Sequence, residues 1–246
     1  MKLYGLLGQK LGHSFSQKYF TEKFKRENIV DCRYELYSLT SLSELNNLLE
    51  KNKDLKGINV TIPFKEKIIP YLDEIDGNAR EVGAVNTISI INGKLKGYNT
   101  DVFGFQQSIK PFLESHHQRA LILGTGGASK AVRYVLEQIG IDYFLVSRHP
   151  KNEKEIGYET LNKFAIESCP LIVNTTPLGM FPDVESFPPI PYEFLTNKNL
   201  LFDAVYNPTE TIFLKKGKER NSTVINGLNM LHLQAEKAWE IWNTLP

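Results

Sequence analysis

Two polar clusters near the start of the chain, and a glycine cluster past its middle, carry the residue types that can do chemistry. In Gly12-His13-Ser14-Phe15-Ser16, two hydroxyls stand at i and i+2 just ahead of a helix. They can hold a carboxylate at a helix N-terminus, or serve as plain N-caps. His13 has no second histidine at ligand spacing and reads as structural. In Gly57-Ile58-Asn59-Val60-Thr61-Ile62-Pro63-Phe64-Lys65, a strand points Ile58, Val60 and Ile62 one way and Asn59 and Thr61 the other. Pro63 stops the strand, and Lys65 starts the next element. Two polar side chains near the carboxyl end of a strand suit a ligand, because α/β folds bind ligands there. A half-exposed edge strand with a surface lysine suits the same letters. Asn86 sits early in a later strand, and Asn99-Thr100-Asp101 caps a helix, which alone would account for Asp101.

The glycine cluster is Gly124-Thr125-Gly126-Gly127-Ala128, between the apolar run Leu121-Ile122-Leu123 and a helix. Gly124 allows a tight turn, and Gly126 lets backbone approach a pyrophosphate. The helix start then offers free N–H groups and the positive end of its dipole. Ser129 stands where a third glycine would complete G-x-G-x-x-G. Without a ligand, the same letters make a tight strand-to-helix turn. The next strand, Tyr143 to Val146, ends in Ser147-Arg148-His149 with no carboxylate at its tip. NAD-binding folds place an acidic residue there for the ribose hydroxyl. Arg148 instead offers a planar fork of donors to a 2′-phosphate, Ser147 a hydroxyl and Lys151 further charge, which favours NADP.

Composition excludes several classes. The 246 residues fit one large α/β domain or two modest ones. A net charge of +1 without a long basic run argues against nucleic-acid binding. Cys32 and Cys169 make no ligand cluster with histidine, so no metal site is expected, and two free thiols are the simplest account. No apolar run reaches the ~18 residues of a membrane span, and the first residues lack a signal-peptide core. A soluble cytoplasmic protein is expected.

The elements that must position these residues alternate. Strands are expected at 3–8, 32–38, 55–62, 85–91, 94–98, 119–123, 142–146, 171–174, 200–204 and 223–225. Helices are expected at about 16–28, 41–50, 76–82, 101–110, 129–139 and 228–242. Asn92-Gly93 is a two-residue hairpin turn. Such alternation predicts an α/β protein with mostly parallel sheets. Because the glycine turn comes late, a first domain should precede a Rossmann-type one.

Read together and in order, the segments resemble the shikimate dehydrogenase family. The carriers are His-Ser-x-Ser at 13–16, Asn-Val-Thr-x-Pro-x-Lys at 59–65, Gly-Ala-Val-Asn-Thr at 83–87 and Asn-Thr-Asp at 99–101. They continue as Gly-x-Gly-Gly-Ala at 124–128, Asn-Thr-Thr-Pro-Leu-Gly-Met at 174–180, Asp-x-x-Tyr-x-Pro-x-x-Thr at 203–211 and Asn-Gly-x-x-Met-Leu-x-x-Gln at 226–234. The resemblance covers nearly the whole chain. It implies NADP-dependent, reversible reduction of 3-dehydroshikimate to shikimate, in chorismate and aromatic amino acid biosynthesis. It also implies a catalytic pair, Lys65 and Asp101. Ser14 and Ser16 would bind the substrate carboxylate, and Asn59, Thr61, Asn86, Asp101 and Gln234 its hydroxyls. Tyr206 and Gly227 would line the site. Gly124, Thr125, Gly126, Gly127, Ala128, Ser147, Arg148, Thr175, Gly227 and Met230 would hold NADP. A substrate-binding domain, 1–101 joined by the C-terminal helix 227–246, would accompany a Rossmann domain at 102–226, in a monomer or homodimer.

The chain departs from the family pattern at Gln17, usually proline, at His149, often threonine, and at Asn229, often glycine. The segment from Pro150 to Cys169 is short. These departures touch the adenine side of the cofactor more than the catalytic pair. Rival readings are a quinate or aminoshikimate dehydrogenase, a non-catalytic NADP-binding regulator, and a nucleotide-dependent methyltransferase. The intact Lys65 and Asp101 argue against the regulator. Arg148 argues against the methyltransferase, since a ribose hydroxyl prefers an acidic partner.

Overall fold

A computed structural model describes residues 1–12 and 14–244, so His13 lies outside the described residues. Contacts divide the chain into two units. One holds residues 1–100 and the last helix from Ala235; the other holds residues 101–234.

The first unit begins with β1 (Lys2–Gly8), α1 (Phe15–Arg26), β2 (Cys32–Ser38), α2 (Leu45–Lys51) and β3 (Leu55–Val60). It continues with α3 (Phe64–Lys67), β4 (Glu74–Ile75), α4 (Gly77–Val82), β5 (Thr87–Ile91) and β6 (Lys94–Tyr98). The six strands form one sheet in the order β2-β1-β3-β5-β6-β4. The pairs β1–β2, β1–β3 and β4–β6 are parallel, while β3–β5 and β5–β6 are antiparallel. The hairpin turn at Asn92 and Gly93 has positive φ at both residues, as a two-residue turn between twisted strands needs.

β3 is central, not an edge strand, and both its faces are covered: Ile58, Asn59 and Val60 are all buried. It stops two residues earlier than its apolar pattern suggests. Phe64 N–H bonds back to Thr61 C=O at 2.9 Å and turns the chain into α3, so Ile62 is 77% exposed instead of joining the core.

One side of this sheet is sealed by an aromatic cluster of Tyr4, Phe20, Phe24, Tyr34 and Trp242. Trp242 comes from the last helix. A methyl group at Gly57 would stand 2.2 Å from the Trp242 indole nitrogen, so only glycine admits the ring there. That nitrogen donates to Ile88 C=O at 2.9 Å. Lys23 of α1 adds an ion pair to Glu236 at 2.8 Å and to Glu27 at 3.0 Å.

The second unit holds α5 (Thr100–Ile109, from Asp101 on), β7 (Arg119–Leu123), α6 (Gly127–Gln138), β8 (Asp142–Ser147), β9 (Glu155–Gly157) and α7 (Lys163–Ser168). β10 (Leu171–Asn174), β11 (Leu200–Asp203), α8 (Ile212–Lys218), β12 (Thr223–Ile225) and α9 (Leu228–Thr244) follow. Its sheet has the order β12-β11-β10-β7-β8-β9 and every pair is parallel. β7, β10 and β11 are buried on both faces, as continuous apolar runs in a parallel sheet should be. β7 and β10 meet at the centre, where the strand order reverses, and the glycine turn leaves β7 at that point. α9 leaves the second unit after Gln234 and finishes in the first.

Candidate active site

In the first unit, the expected residues gather at the carboxyl ends of β1 and β3 and at the start of α1. Ser14 is the N-cap of α1, its Oγ accepting from Gln17 N–H at 3.3 Å. As an acceptor there it keeps its own proton for a ligand oxygen. Ser16 lies in the first turn, as a hydrogen-bonding neighbour of the Tyr34 phenol. Thr61 is anchored by its N–H to Leu7 C=O at 2.9 Å. Lys65 is half-buried on α3, and its C=O accepts from Val85 N–H at 2.7 Å, one residue before Asn86.

A network behind these residues was not expected. Tyr34 donates to Asn59 Oδ1 at 2.7 Å, and Asn59 Nδ2 donates to Thr87 Oγ1 at 3.1 Å and to Asn86 C=O at 3.4 Å. Asn86 Nδ2 donates to Thr100 Oγ1 at 3.1 Å, and its Oδ1 accepts Thr100 N–H at 2.7 Å. Both amide hydrogens of Asn59 are engaged inside the sheet. Tyr34, Thr87 and Thr100 escaped sequence reasoning because each pairs with a residue remote in sequence. Burial pushes the Tyr34 phenol up, so it stays a neutral donor.

In the second unit, Gly124 has φ +103°, the left-handed region open to glycine. A methyl group there would stand 2.9 Å from Thr176 Cγ2, so the turn closes against the loop after β10. Gly126 is different. Its φ of −83° and ψ of −171° suit any residue, and an added methyl would meet nothing within 4 Å. Packing therefore does not call for a glycine there, whereas a close-lying phosphate would. The first turn of α6 receives no side-chain cap from Gly126, leaving its N–H groups available. Ser129 fits the third position because it is buried and donates to Gly126 C=O at 2.6 Å. Thr125 and Gly126 are exposed, Gly127 and Ala128 half-buried.

The tip of β8 presents Arg148 outward. Ser147 Oγ accepts from His149 N–H at 3.1 Å, a turn that leaves Arg148 exposed between them. The Arg148 charge reaches Tyr158, where it opposes the upward push of burial. Thr175 bonds Leu123 C=O through its N–H at 2.9 Å and its hydroxyl at 2.7 Å. These residues fit a dinucleotide bearing a 2′-phosphate: open backbone at Gly126, uncapped helix N–H groups and an exposed guanidinium at the neighbouring strand tip.

Asp101 is buried in the first turn of α5, and Gln234 is buried on α9, where its Nε2 donates to Leu231 C=O at 2.8 Å. The two helices pack at Gly104, where a methyl would stand 2.6 Å from Met230 C=O. Tyr206 is half-buried, and burial raises its phenol. A cavity of about 1030 Å³ lined by Arg119, Gly140, Pro170 and Lys198 opens at the opposite, amino end of this sheet, where open α/β sheets do not place their ligands. Among the described residues, no group of three or more His, Cys, Asp and Glu side chains could hold a metal ion.

Known proteins share this sequence and fold. Residues 6–88 match the family described as shikimate dehydrogenase substrate binding domain. Shikimate dehydrogenase (NADP(+)) of Clostridium beijerinckii is 41% identical over 98% of this chain and 92% of its own. The solved shikimate dehydrogenase of Aquifex aeolicus is 36% identical, with a TM-score of 0.86 over 100% of this chain and 93% of that one. The shikimate 5-dehydrogenase of Thermus thermophilus, solved in complex with NADP(H) and shikimate, is 29% identical, with a TM-score of 0.87 over 100% and 94%. On sequence and fold, the chain belongs to the shikimate dehydrogenase family.

Proposed function

We propose that this chain is a cytoplasmic NADP-dependent shikimate dehydrogenase, interconverting 3-dehydroshikimate and shikimate on the route to chorismate and the aromatic amino acids. The observation that carries this reading is the 41% identity to the Clostridium beijerinckii enzyme along almost the entire chain. Most of the substrate contacts come from residues 1–100, and the cofactor is held by residues of the second unit. Bound NADP supplies the hydride donor for reduction and the acceptor for oxidation.

Ser14 and Ser16 hold the substrate carboxylate at the N-terminal end of α1. Asn59, Thr61, Asn86, Asp101 and Gln234 bind its hydroxyls. Lys65 donates the proton to the carbonyl oxygen and stabilises the charge that develops there. Asp101 is the second member of the catalytic pair and accepts from a substrate hydroxyl. Gly124 to Ala128 cradle the pyrophosphate, Ser147 and Arg148 take the 2′-phosphate, and Thr175, Gly227 and Met230 seat the nicotinamide end beside Tyr206. Oxidation of shikimate releases a proton, so alkaline solution favours that direction.

The test follows absorbance of the reduced nicotinamide, with purified protein, shikimate and either NADP or NAD, and quinate in parallel. NADP-preferring oxidation of shikimate is expected. Faster turnover of quinate would move the substrate assignment, and no turnover despite NADP binding would point to a regulator.

A further inference from the structure

One buried carboxylate on the cofactor side has no role in the chemistry just described. Asp203 ends β11 and is 0% exposed. Its Oδ1 accepts from Asn174 Nδ2 at 2.9 Å and from Val205 N–H at 3.0 Å, and its Oδ2 accepts the Thr211 hydroxyl at 2.6 Å. Asn174 and Asp203 are register partners at the ends of adjacent parallel strands, so their side chains meet where the sheet stops.

Each of the three donors leads into a loop. Asn174 Oδ1 accepts Thr176 N–H at 3.0 Å and its hydroxyl at 2.6 Å, fixing the segment that carries Thr175 and closes on Gly124. Val205 precedes Tyr206, and its C=O accepts Gly227 N–H at 3.0 Å. Gly227 in turn presses on the exit of β11: a methyl there would stand 2.3 Å from Ala204 C=O. Its own C=O accepts Leu231 N–H at 3.0 Å, which sets the first turn of α9 and with it Met230. Thr211 is the N-cap of α8.

We infer that Asp203 is a positioning residue: through these three hydrogen bonds it sets the loops bearing Thr175, Tyr206, Gly227 and Met230, and so the seat of the nicotinamide half of NADP. The inference rests on the proposed function. The chemistry of the acceptor explains the residue type. Three donors converge on one side chain, and an ionised carboxylate is acceptor-only. An amide of the same shape would turn an N–H toward one of them. The tip of β8 that carries Ser147 and Arg148 makes none of these hydrogen bonds, so binding at the adenine end of the cofactor should not depend on this carboxylate.

The experiment compares wild type with Asp203→Asn and Thr211→Val, the second removing one donor and keeping the charge. Calorimetry gives Kd for NADP and for adenosine 2′,5′-bisphosphate, a fragment without the nicotinamide, and kcat is measured for shikimate oxidation. In Asp203→Asn, kcat should fall roughly 10–100-fold, the scale of a small misplacement at a reacting centre. Kd for NADP should rise while Kd for the fragment holds. Thr211→Val should show the same split with a smaller fall, and decides the matter if Asp203→Asn does not fold. Wild-type kcat and NADP affinity retained in the folded variants would overturn the inference, as would equal weakening of NADP and the fragment. Failure of wild type to oxidise shikimate would overturn the proposed function instead.

Discussion

Each unit closes the carboxyl end of its sheet with a buried polar network, and the two networks use different chemistry. In the first, Tyr34, Asn59, Asn86, Thr87 and Thr100 exchange hydrogen bonds between neutral amides and hydroxyls. In the second, three donors converge on the carboxylate of Asp203. A neutral network is insensitive to pH and holds its geometry with little desolvation cost. An ionised hub binds its donors more strongly, since hydrogen bonds to charged groups are roughly twice as strong. It also pays for burial: desolvation outweighs the three bonds and pushes the Asp203 carboxyl up to about 6. The sheet end of the first unit is thus held by shape, and that of the second by a charge that can be removed.

Four changes break or sharpen this contrast. The largest effect is expected at the chemistry itself. Lys65→Ala should lower kcat roughly 10²–10⁴-fold, the range for losing a general acid, with NADP affinity unchanged in a binding titration. An unaltered kcat would remove Lys65 from the reaction.

The second concerns stability and pH. Between about pH 4 and 6 the folded Asp203 keeps a proton that the unfolded chain has released. The unfolded state then binds fewer protons, so this group's contribution makes stability fall as pH rises through that window and stay level above it. The fall is on the order of 3 kcal/mol, from a shift of about two units. Subtracting urea-unfolding curves of Asp203→Asn from those of wild type at several pH values isolates it. A flat difference would mean that the carboxyl titrates normally.

Third, Arg148→Gln should raise KM for NADP roughly 10–100-fold, the value of ~1.5–3 kcal/mol in charge-assisted hydrogen bonds, and leave KM for NAD alone. Equal changes for both cofactors would take the 2′-phosphate away from Arg148.

Smallest is Tyr34→Phe, which leaves Asn59 Oδ1 without its donor and should cost about 1–3 kcal/mol of stability. Unlike the Asp203 effect, this loss should be the same at pH 5 and pH 7, and a pH-dependent loss would refute the neutral character of the first network.

Local pattern made much of the fold legible. The runs at 32–38, 119–123, 171–174 and 223–225 are strands with the expected bounds, because each is a short β-rich stretch with clear breakers. Asn92-Gly93 encoded its hairpin for the same reason. The two-residue β4 and three-residue β9 are too short to show a period, and they exist because neighbouring strands offer free edges. Ile62 misled, since its apolar side chain continues the alternation of β3 after the backbone has turned away. Among site residues, the glycine turn and the Asn59 to Lys65 stretch were visible as motifs. Asp203 was visible only as a letter in one. Its role depends on Asn174, 29 residues earlier, and only the register of β10 against β11 brings the two together.

The Trp242 ring seated on Gly57 also has a consequence for how the chain is made. The core containing Tyr4, Phe20 and Tyr34 is completed by residues from Ala235 onward, which leave the ribosome after the whole of 101–234. At 5–20 residues per second, that interval lasts about 7–27 s. During it, the earliest-made strands carry an aromatic face with its final cover still unsynthesised. The second unit, contiguous in sequence, can fold as soon as it emerges, so the first unit to be synthesised is the last to be finished.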